Sequence, residues 1–396
     1  MTHAARSRGH SWSYTVTGRV RLVAGATAVV AVILLAASLW SDWTRFLANS
    51  LVFFVFTLTL GLGSLFLVTL EYTVNATWSV PFRRIAENLA VLIPISLILA
   101  LPVLVGVGTL YEWTHTGSAD DPILAGKSGY LNLPFFLVRF VLFFAVWLVG
   151  YRFLVEGSRK QDQVGNKSFS ERASRFSPVF MILLVVTITF AAFDWVMSLV
   201  PHWYSSIFGI YLFVSCMVAG VSLTTLAATH LKMKGLLPSE VGPDHFYNLG
   251  ALMFAFNTAW AYVAFAQFLL IWYANLPQET IWYAMRSASG WGVVSWLLVV
   301  VHFIVPFVAL LNRSAKTSLK RLRWVAAWIL GAHALDMYWL IAPSIRAEET
   351  VFSWQELWLP FAALAVGLLA WQWTARRAPL LPVNDPKLDA AFRFHL

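Results

Sequence analysis

Few residues in this chain could do chemistry, and they stand where polar groups are costly. Asp194 lies between an apolar segment, residues 180–193, and an aromatic run that ends at Tyr204. Asp336 repeats the arrangement, since Asp194 is seven residues before Pro201 and Asp336 seven before Pro343. Moving a carboxylate to the centre of a bilayer costs roughly 2.5–3.5 kcal/mol on insertion scales, so one kept in an apolar segment needs a partner or a task. His333 precedes Asp336 by three residues and shares its face if the segment is helical. Arg139, inside another apolar segment, could neutralise Asp194 where their helices touch. His302 and His333 flank a short basic loop at similar distances, which puts them at similar depth in an antiparallel helical hairpin. Glu71, Glu87, His230 and His245 border other basic loops, and Asn257 and Gln267 could link the two levels through water.

These groups form an inner and an outer set, each reachable from one aqueous side. Proton half-channels require that arrangement: groups that exchange protons singly, with affinities shifted by burial. The competing reading gives each group a satisfied hydrogen bond between helices or a place at a helix end. Two further chemistries stay open. His302 and His333 could ligate a b-type haem, since neutral imidazole is a common axial ligand. Aromatic residues near the outer Asp and His groups could line a quinone pocket, since such sites are mainly apolar with a few placed polar groups. No residue is assigned a catalytic role, and no metal site or quinone-binding residue is assigned.

The elements that position these residues are membrane helices. Of 396 residues, 59% are hydrophobic and 12% charged, where a soluble domain carries about 25% charge. The runs are too long and too uniformly apolar for the strands of a membrane barrel. A net charge of +9 could suggest nucleic acid, but the basic residues sit in short loops between apolar runs. The single cysteine, Cys216, reads as a small buried apolar residue. It excludes a disulfide framework, an iron–sulfur cluster held by this chain and covalently attached haem.

Ten spans follow, at 21–40, 47–70, 88–110, 133–154, 178–199, 207–230, 247–273, 287–311, 323–342 and 355–374. Ala36-Ala37-Ser38 resembles a signal-peptide cleavage site, but the apolar run before it is too long for one. An even count puts both termini on one side. Lys and Arg concentrate in the N-terminus, 71–87, 152–177, 231–246, 312–323 and the C-terminus, whereas the alternate loops hold only Arg45, Lys127, Arg286 and Arg346. The positive-inside rule then makes both termini cytoplasmic. The 152–177 loop is expected to face anionic headgroups. The outer loop 111–132, with Glu112, Asp120 and Asp121, is expected to meet a partner, cover a cavity or serve as a solvated connector.

The matched Asp-to-Pro spacing falls in helices 5 and 9, and Asn88-Leu89 and Asn248-Leu249 open helices 3 and 7. The expected fold is therefore an all-α polytopic membrane protein of two four-helix bundles, helices 2–5 and 6–9, with two peripheral helices. The divisions are 1–46 for the tail and helix 1, 47–206 and 207–346 for the bundles, and 347–396 for helix 10 and the C-terminal tail.

The run FDWVMSLVPHWYSSIFGIYLF at 193–213, with HLKMKGLLP at 230–238, WGVVSW at 291–296 and VHFIVPF at 301–307, resembles the second large membrane subunit of bacterial alternative complex III. That family member is also called quinone-binding subunit 2. The resemblance extends over essentially the whole chain. It implies a polysulfide-reductase membrane-subunit (NrfD-like) fold in a quinol:cytochrome c oxidoreductase of the bacterial inner membrane. It further implies as partners a sister NrfD-like subunit, an iron–sulfur subunit, c-type cytochrome subunits, small membrane anchors and a terminal oxidase. Haem and iron–sulfur centres would reside in those partners, and menaquinone or ubiquinone would be the quinone. In this family the better supported quinol site belongs to the sister subunit. The buried Asp and His positions come from the residues themselves, not from a family motif.

The leading expectation is thus a respiratory-complex subunit that conducts protons and has no activity alone. A purely structural anchor is the second class. A secondary transporter is the third, but it favours broken helices at matching positions of inverted repeats. Pro94 and Pro102 have no counterparts in helix 7, and the repeats share one orientation.

Overall fold

The computed structural model describes residues 17–115, 120–165 and 168–396. The basic stretch with Arg6 and Arg8, and Lys167 of the 152–177 loop, lie outside the described residues. Among the described residues, ten helices are long and apolar enough to cross a membrane. They are α1 (Gly18–Ser41), α2 (Trp43–Val74), α3 (Val80–Val105), α4 (Leu133–Val164) and α5 (Ser168–Leu199), then α6 (Phe208–Met233), α7 (Pro243–Ala274), α8 (Trp291–Leu310), α9 (Leu319–Arg346) and α10 (Trp354–Ala375). The molecule is 81% helical, with no strand among the described residues.

Local chemistry sets the helix ends. Asp42 takes an extended conformation that separates α1 from α2, and its carboxylate caps α2 by accepting from the Arg45 backbone N–H at 2.9 Å. Asn132 does the same for α4, accepting from Phe135 N–H at 3.0 Å. Asn75 and Asn275, both at positive φ, end α2 and α7. Interruptions at Ala90 and Ala100 divide α3 into shorter segments, and Pro94 and Pro102 each lack the N–H for an i→i−4 bond.

Several helices outrun the apolar windows. α3 starts at Val80 instead of 88, α5 at Ser168 instead of 178, and α4 continues to Val164 instead of 154. Much of the 71–87 and 152–177 loops is therefore helical. The physical reason is visible in α3, where Arg83, Arg84 and Glu87 are buried and paired. A hydropathy window treats such charges as a terminus, although the backbone carries on through them.

α2 and α6 form the centre of the packing. α2 also touches α3, α4, α5 and α9, while α6 touches α5, α7 and α9. α8 packs between α7 and α9, and α1 runs along α10 at the periphery. At the α2–α6 crossing the backbones meet at Gly63 and Gly220. A Cβ on Gly63 would stand 1.8 Å from the Cys216 carbonyl oxygen, and one on Gly220 would stand 2.1 Å from the Gly63 carbonyl carbon. Small residues allow this approach, and dispersion between close helices replaces the hydrophobic drive that lipid removes. Cys216 is buried beside the crossing. Val138, Val141 and Val149 of α4, Tyr262 and Phe265 of α7, and Val293 and Trp296 of α8 are exposed, giving the periphery an apolar surface.

Candidate functional site

Three buried polar groups stand out, and the first joins five helices. His333 and Asp336 lie one turn apart on α9, and both are fully buried. Tyr211 of α6 donates its hydroxyl to Asp336 Oδ1 at 2.5 Å, and Trp260 of α7 donates Nε1–H to Oδ2 at 3.1 Å. The Trp260 ring stacks on His302 with centroids 3.8 Å apart. His302 lies in a π-helical stretch of α8, Val299–Ile304. Pro306 has no N–H to bond the His302 carbonyl, so the regular ladder is already broken where the helix widens. Donor atoms of His302, His333 and Asp336 all lie within 4.8 Å of one another. Among the described residues no ion pair reaches Asp336, and neither ring nitrogen of His302 has a hydrogen-bond partner.

His333 Nε2 lies 2.8 Å from Thr59 Oγ1 of α2. Thr59 gives its own proton to the Phe56 carbonyl at 2.8 Å, so it accepts from His333. In that arrangement His333 carries its proton on Nε2, and its buried Nδ1 makes no hydrogen bond among the described residues. Asn257, one turn from Trp260 on α7, is buried with both side-chain polar atoms unpartnered.

The second group lies between α4 and α5. Arg139 Nε donates to Asp194 Oδ2 at 2.7 Å, with both residues buried. Arg139 Nη1 also donates to the Tyr130 carbonyl at 2.8 Å, and the guanidinium lies over the Tyr130 and Phe135 rings at 3.8 and 4.4 Å. The Tyr130 hydroxyl is the other group that interacts with the Asp194 carboxylate. The nearby 120–132 segment folds onto the end of α5. Lys127 Nζ donates to the Pro201 carbonyl at 2.5 Å, and His202 Nε2 lies 2.7 Å from Asp121 Oδ2. That hydrogen bond, followed by one from the Ile123 N–H, holds the Asp121 carboxyl below the usual carboxylate range.

The third group lies at the opposite end of α2. Arg83 bonds Glu71 at 2.7 Å and Asp385 at 2.5 Å and faces Glu87 at 3.4 Å. Arg84 bonds Glu87 at 2.5 Å and also pairs with Asp162. A mostly apolar cleft of about 220 Å³ opens beside Glu71, with Trp78, Thr224 and Leu252 in its wall. Glu71 and Glu87 thus come together, but as members of an ion-pair network instead of isolated acids. His230 is only half-buried and lines neither this cleft nor the network. His245 is buried and bonds the Ala391 carbonyl of the C-terminal tail at 2.9 Å.

Sequence reasoning missed several partners. Tyr211, Trp260 and Thr59 look like ordinary span residues, and only the packing of four helices reveals them. Buried Ser215, Ser222 and Thr224 on α6 have hydroxyls without partners. They are spread between Tyr211 and the cleft beside Glu71, and their spacing in an apolar run was the available signal. Arg45 and Arg346 are likewise not loop charges. Both are buried against Glu356, at 2.8 and 3.0 Å, and tie α2 and α9 to α10.

The arrangement does not fit a haem between His302 and His333. A bis-imidazole haem places its two nitrogens on opposite faces of a wide macrocycle. Here Asp336 stands within 4.8 Å of both donors and Trp260 covers the His302 ring, so the plane has no room. No protein-family model matches the chain, and no curated protein matches it in sequence.

Proposed function

We propose that this chain is the second large membrane subunit of a quinol:cytochrome c oxidoreductase of the alternative complex III kind, and that it supplies a transmembrane proton pathway. The resemblance at 193–213, 230–238 and 291–307 supports the complex. One observation carries the pathway: Asp336, fully buried without a cation, bonds Tyr211 at the head of a helix whose unpartnered hydroxyls run toward the Glu71 cleft. Buried hydroxyls without partners are positions for ordered water, and water between hydroxyls and carboxylates moves protons. Asp336 and His333 form the outer level, with Asp194 and Arg139 beside it. Asn257 and the α6 hydroxyls form the middle, and Glu71 and Glu87 the cytoplasmic level. Both termini are cytoplasmic in this reading, the membrane is the bacterial inner membrane, and redox centres reside in iron–sulfur and c-type cytochrome partners. A quinone-binding surface on this chain belongs to the same proposal.

The test is to tag the chain in its native membrane, extract it gently, identify what accompanies it, and assay quinol:cytochrome c activity. Co-purified iron–sulfur and multihaem subunits with that activity are expected; a lone, colourless protein would overturn the assignment. Within the complex, Asp336→Asn is expected to leave assembly intact and lower the protons moved per electron. An unchanged ratio removes Asp336 from the path. A purely structural role is the second reading, favoured by the ion-paired state of Glu71 and Glu87. It expects the same substitution to affect assembly alone.

A further inference from the structure

We infer that His302, His333 and Asp336 form a binding site for one divalent ion of the zinc or iron(II) class. Their donor atoms already converge, lying within 4.8 Å of one another. An ion bound at about 2.0–2.2 Å from each donor needs them about 3–4 Å apart. His302 is free to adjust, since its ring makes no hydrogen bond and is held only by its stacking on Trp260.

The second shell is already in place. Metal-bound histidines typically donate their other ring N–H to an oxygen that fixes the tautomer. Thr59 is placed for that task at His333, with the Phe56 carbonyl within reach to take its own proton. His333 Nδ1 is thereby held unprotonated and unpartnered at full burial. Tyr211 and Trp260 each donate one hydrogen bond to a different oxygen of Asp336. Each oxygen keeps a second lone pair, so the carboxylate is oriented without being used up.

Charge and chemistry narrow the occupant. Asp336 has no ion-pair partner among the described residues, and the nearby imidazoles are neutral ligands. A divalent cation would neutralise the carboxylate and satisfy three lone pairs that burial otherwise leaves bare, each a cost of order 1–3 kcal/mol. Two imidazole nitrogens with one carboxylate oxygen suit zinc or ferrous iron, whereas calcium and magnesium prefer all-oxygen sets. Three protein donors also leave positions for water. Where the proton-pathway reading holds, the ion and the proton compete for Asp336 and His333, so a loaded site closes the outer half of the path. Ion binding itself does not depend on that reading.

The probe is Co²⁺, offered to the full-length chain purified with its accompanying subunits through a tag that contains no histidine. After chelation, reloading and desalting, cobalt is counted by mass spectrometry and the site examined by electron paramagnetic resonance of high-spin Co²⁺. Wild type is expected to hold about one more ion per chain than His302→Ala. Thr59→Val, nearly isosteric, is expected to bind roughly 10–100-fold more weakly, because it removes the acceptor that fixes the His333 tautomer. Cys216→Ala is expected to bind as wild type, which excludes thiolate binding as the source. Cobalt in wild type no higher than in His302→Ala, or undiminished affinity in Thr59→Val, would overturn the site. Should His302→Ala fail to fold, Thr59→Val against wild type decides alone. Loss of the ion site with Asp336-dependent proton coupling intact leaves the pathway standing; ion binding without coupling does the reverse.

Discussion

Removing Arg139 should be more damaging than removing its partner Asp194, and the structure sets the size of the difference. Arg139→Leu leaves Asp194 fully buried, with Oδ2 stripped of the Arg139 Nε–H and only the neutral Tyr130 hydroxyl beside the carboxylate. Breaking a buried pair this way costs about 3–5 kcal/mol. Asp194→Asn leaves a guanidinium that still donates to the Tyr130 carbonyl and still lies over the Tyr130 and Phe135 rings. The lost charge-assisted hydrogen bond is worth about 1.5–3 kcal/mol, and the contacts that remain keep the guanidinium from being stranded without partners. The double substitution Arg139→Leu with Asp194→Leu removes both charges and should recover most of the single loss. Each 1.4 kcal/mol is about tenfold in the folded population, so Arg139→Leu is readable as reduced yield and a lower melting temperature in detergent. The expected order of stability is wild type, then Asp194→Asn, then Arg139→Leu, with the double variant above Arg139→Leu. An Arg139→Leu variant as stable as Asp194→Asn, or a double variant worse than Arg139→Leu, would refute the asymmetry.

Two further outcomes follow from the packing. Gly63→Ala should abolish or sharply reduce folded protein, because its Cβ would meet the Cys216 backbone at 1.8 Å and overpacking against backbone costs at least about 1–3 kcal/mol. Gly367→Ala, where nothing lies within 4 Å, should behave as wild type in the same expression and melting assay. Asp385→Asn should weaken the C-terminal tail without unfolding the helices, because Arg83 keeps Glu71 and Glu87. Faster hydrogen exchange confined to residues near 384–394 is the readout, and unchanged exchange there would show that the Asp385 contact does not hold the tail.

The membrane helices were legible in the sequence because hydropathy sums over twenty residues and no other fold tolerates runs that apolar. Their ends were not, and α3 shows why. Arg83 and Glu87 look like loop charges to any window, yet they are buried because each supplies the other's counterion. The i,i+4 spacing of Arg83 and Glu87 hinted at that pair, but the partners that α2 and the C-terminal tail present, Glu71 and Asp385, leave no trace in linear spacing. The Asp194–Arg139 pair was legible because each residue is anomalous alone and an opposite charge is the cheapest remedy. The shared depth of His302 and His333 followed from helix rise. Thr59, Tyr211 and Trp260 did not, since in a chain with 16% aromatic residues neither a tyrosine nor a tryptophan in a span is unusual.

The two ends of the proposed path differ in a way that bears on how it could work. At the Asp336 level the carboxylate is isolated: two neutral donors hold it and no cation balances it. At the Glu71 level every carboxylate has a guanidinium, but Arg83 serves three of them, Glu71, Glu87 and Asp385. Neutralising Glu71 there leaves Arg83 still paired, so a proton can arrive without stranding a buried cation. Neutralising Asp336 instead removes the only negative charge in its group. A proton moving between the levels changes the charge by one at each end, but at the Glu71 level two carboxylates still face Arg83, whereas at the Asp336 level no other carboxylate joins the group. In the proposed pathway that makes Asp336, not the more conspicuous cluster around Arg83, the group whose occupancy would set whether the path is open.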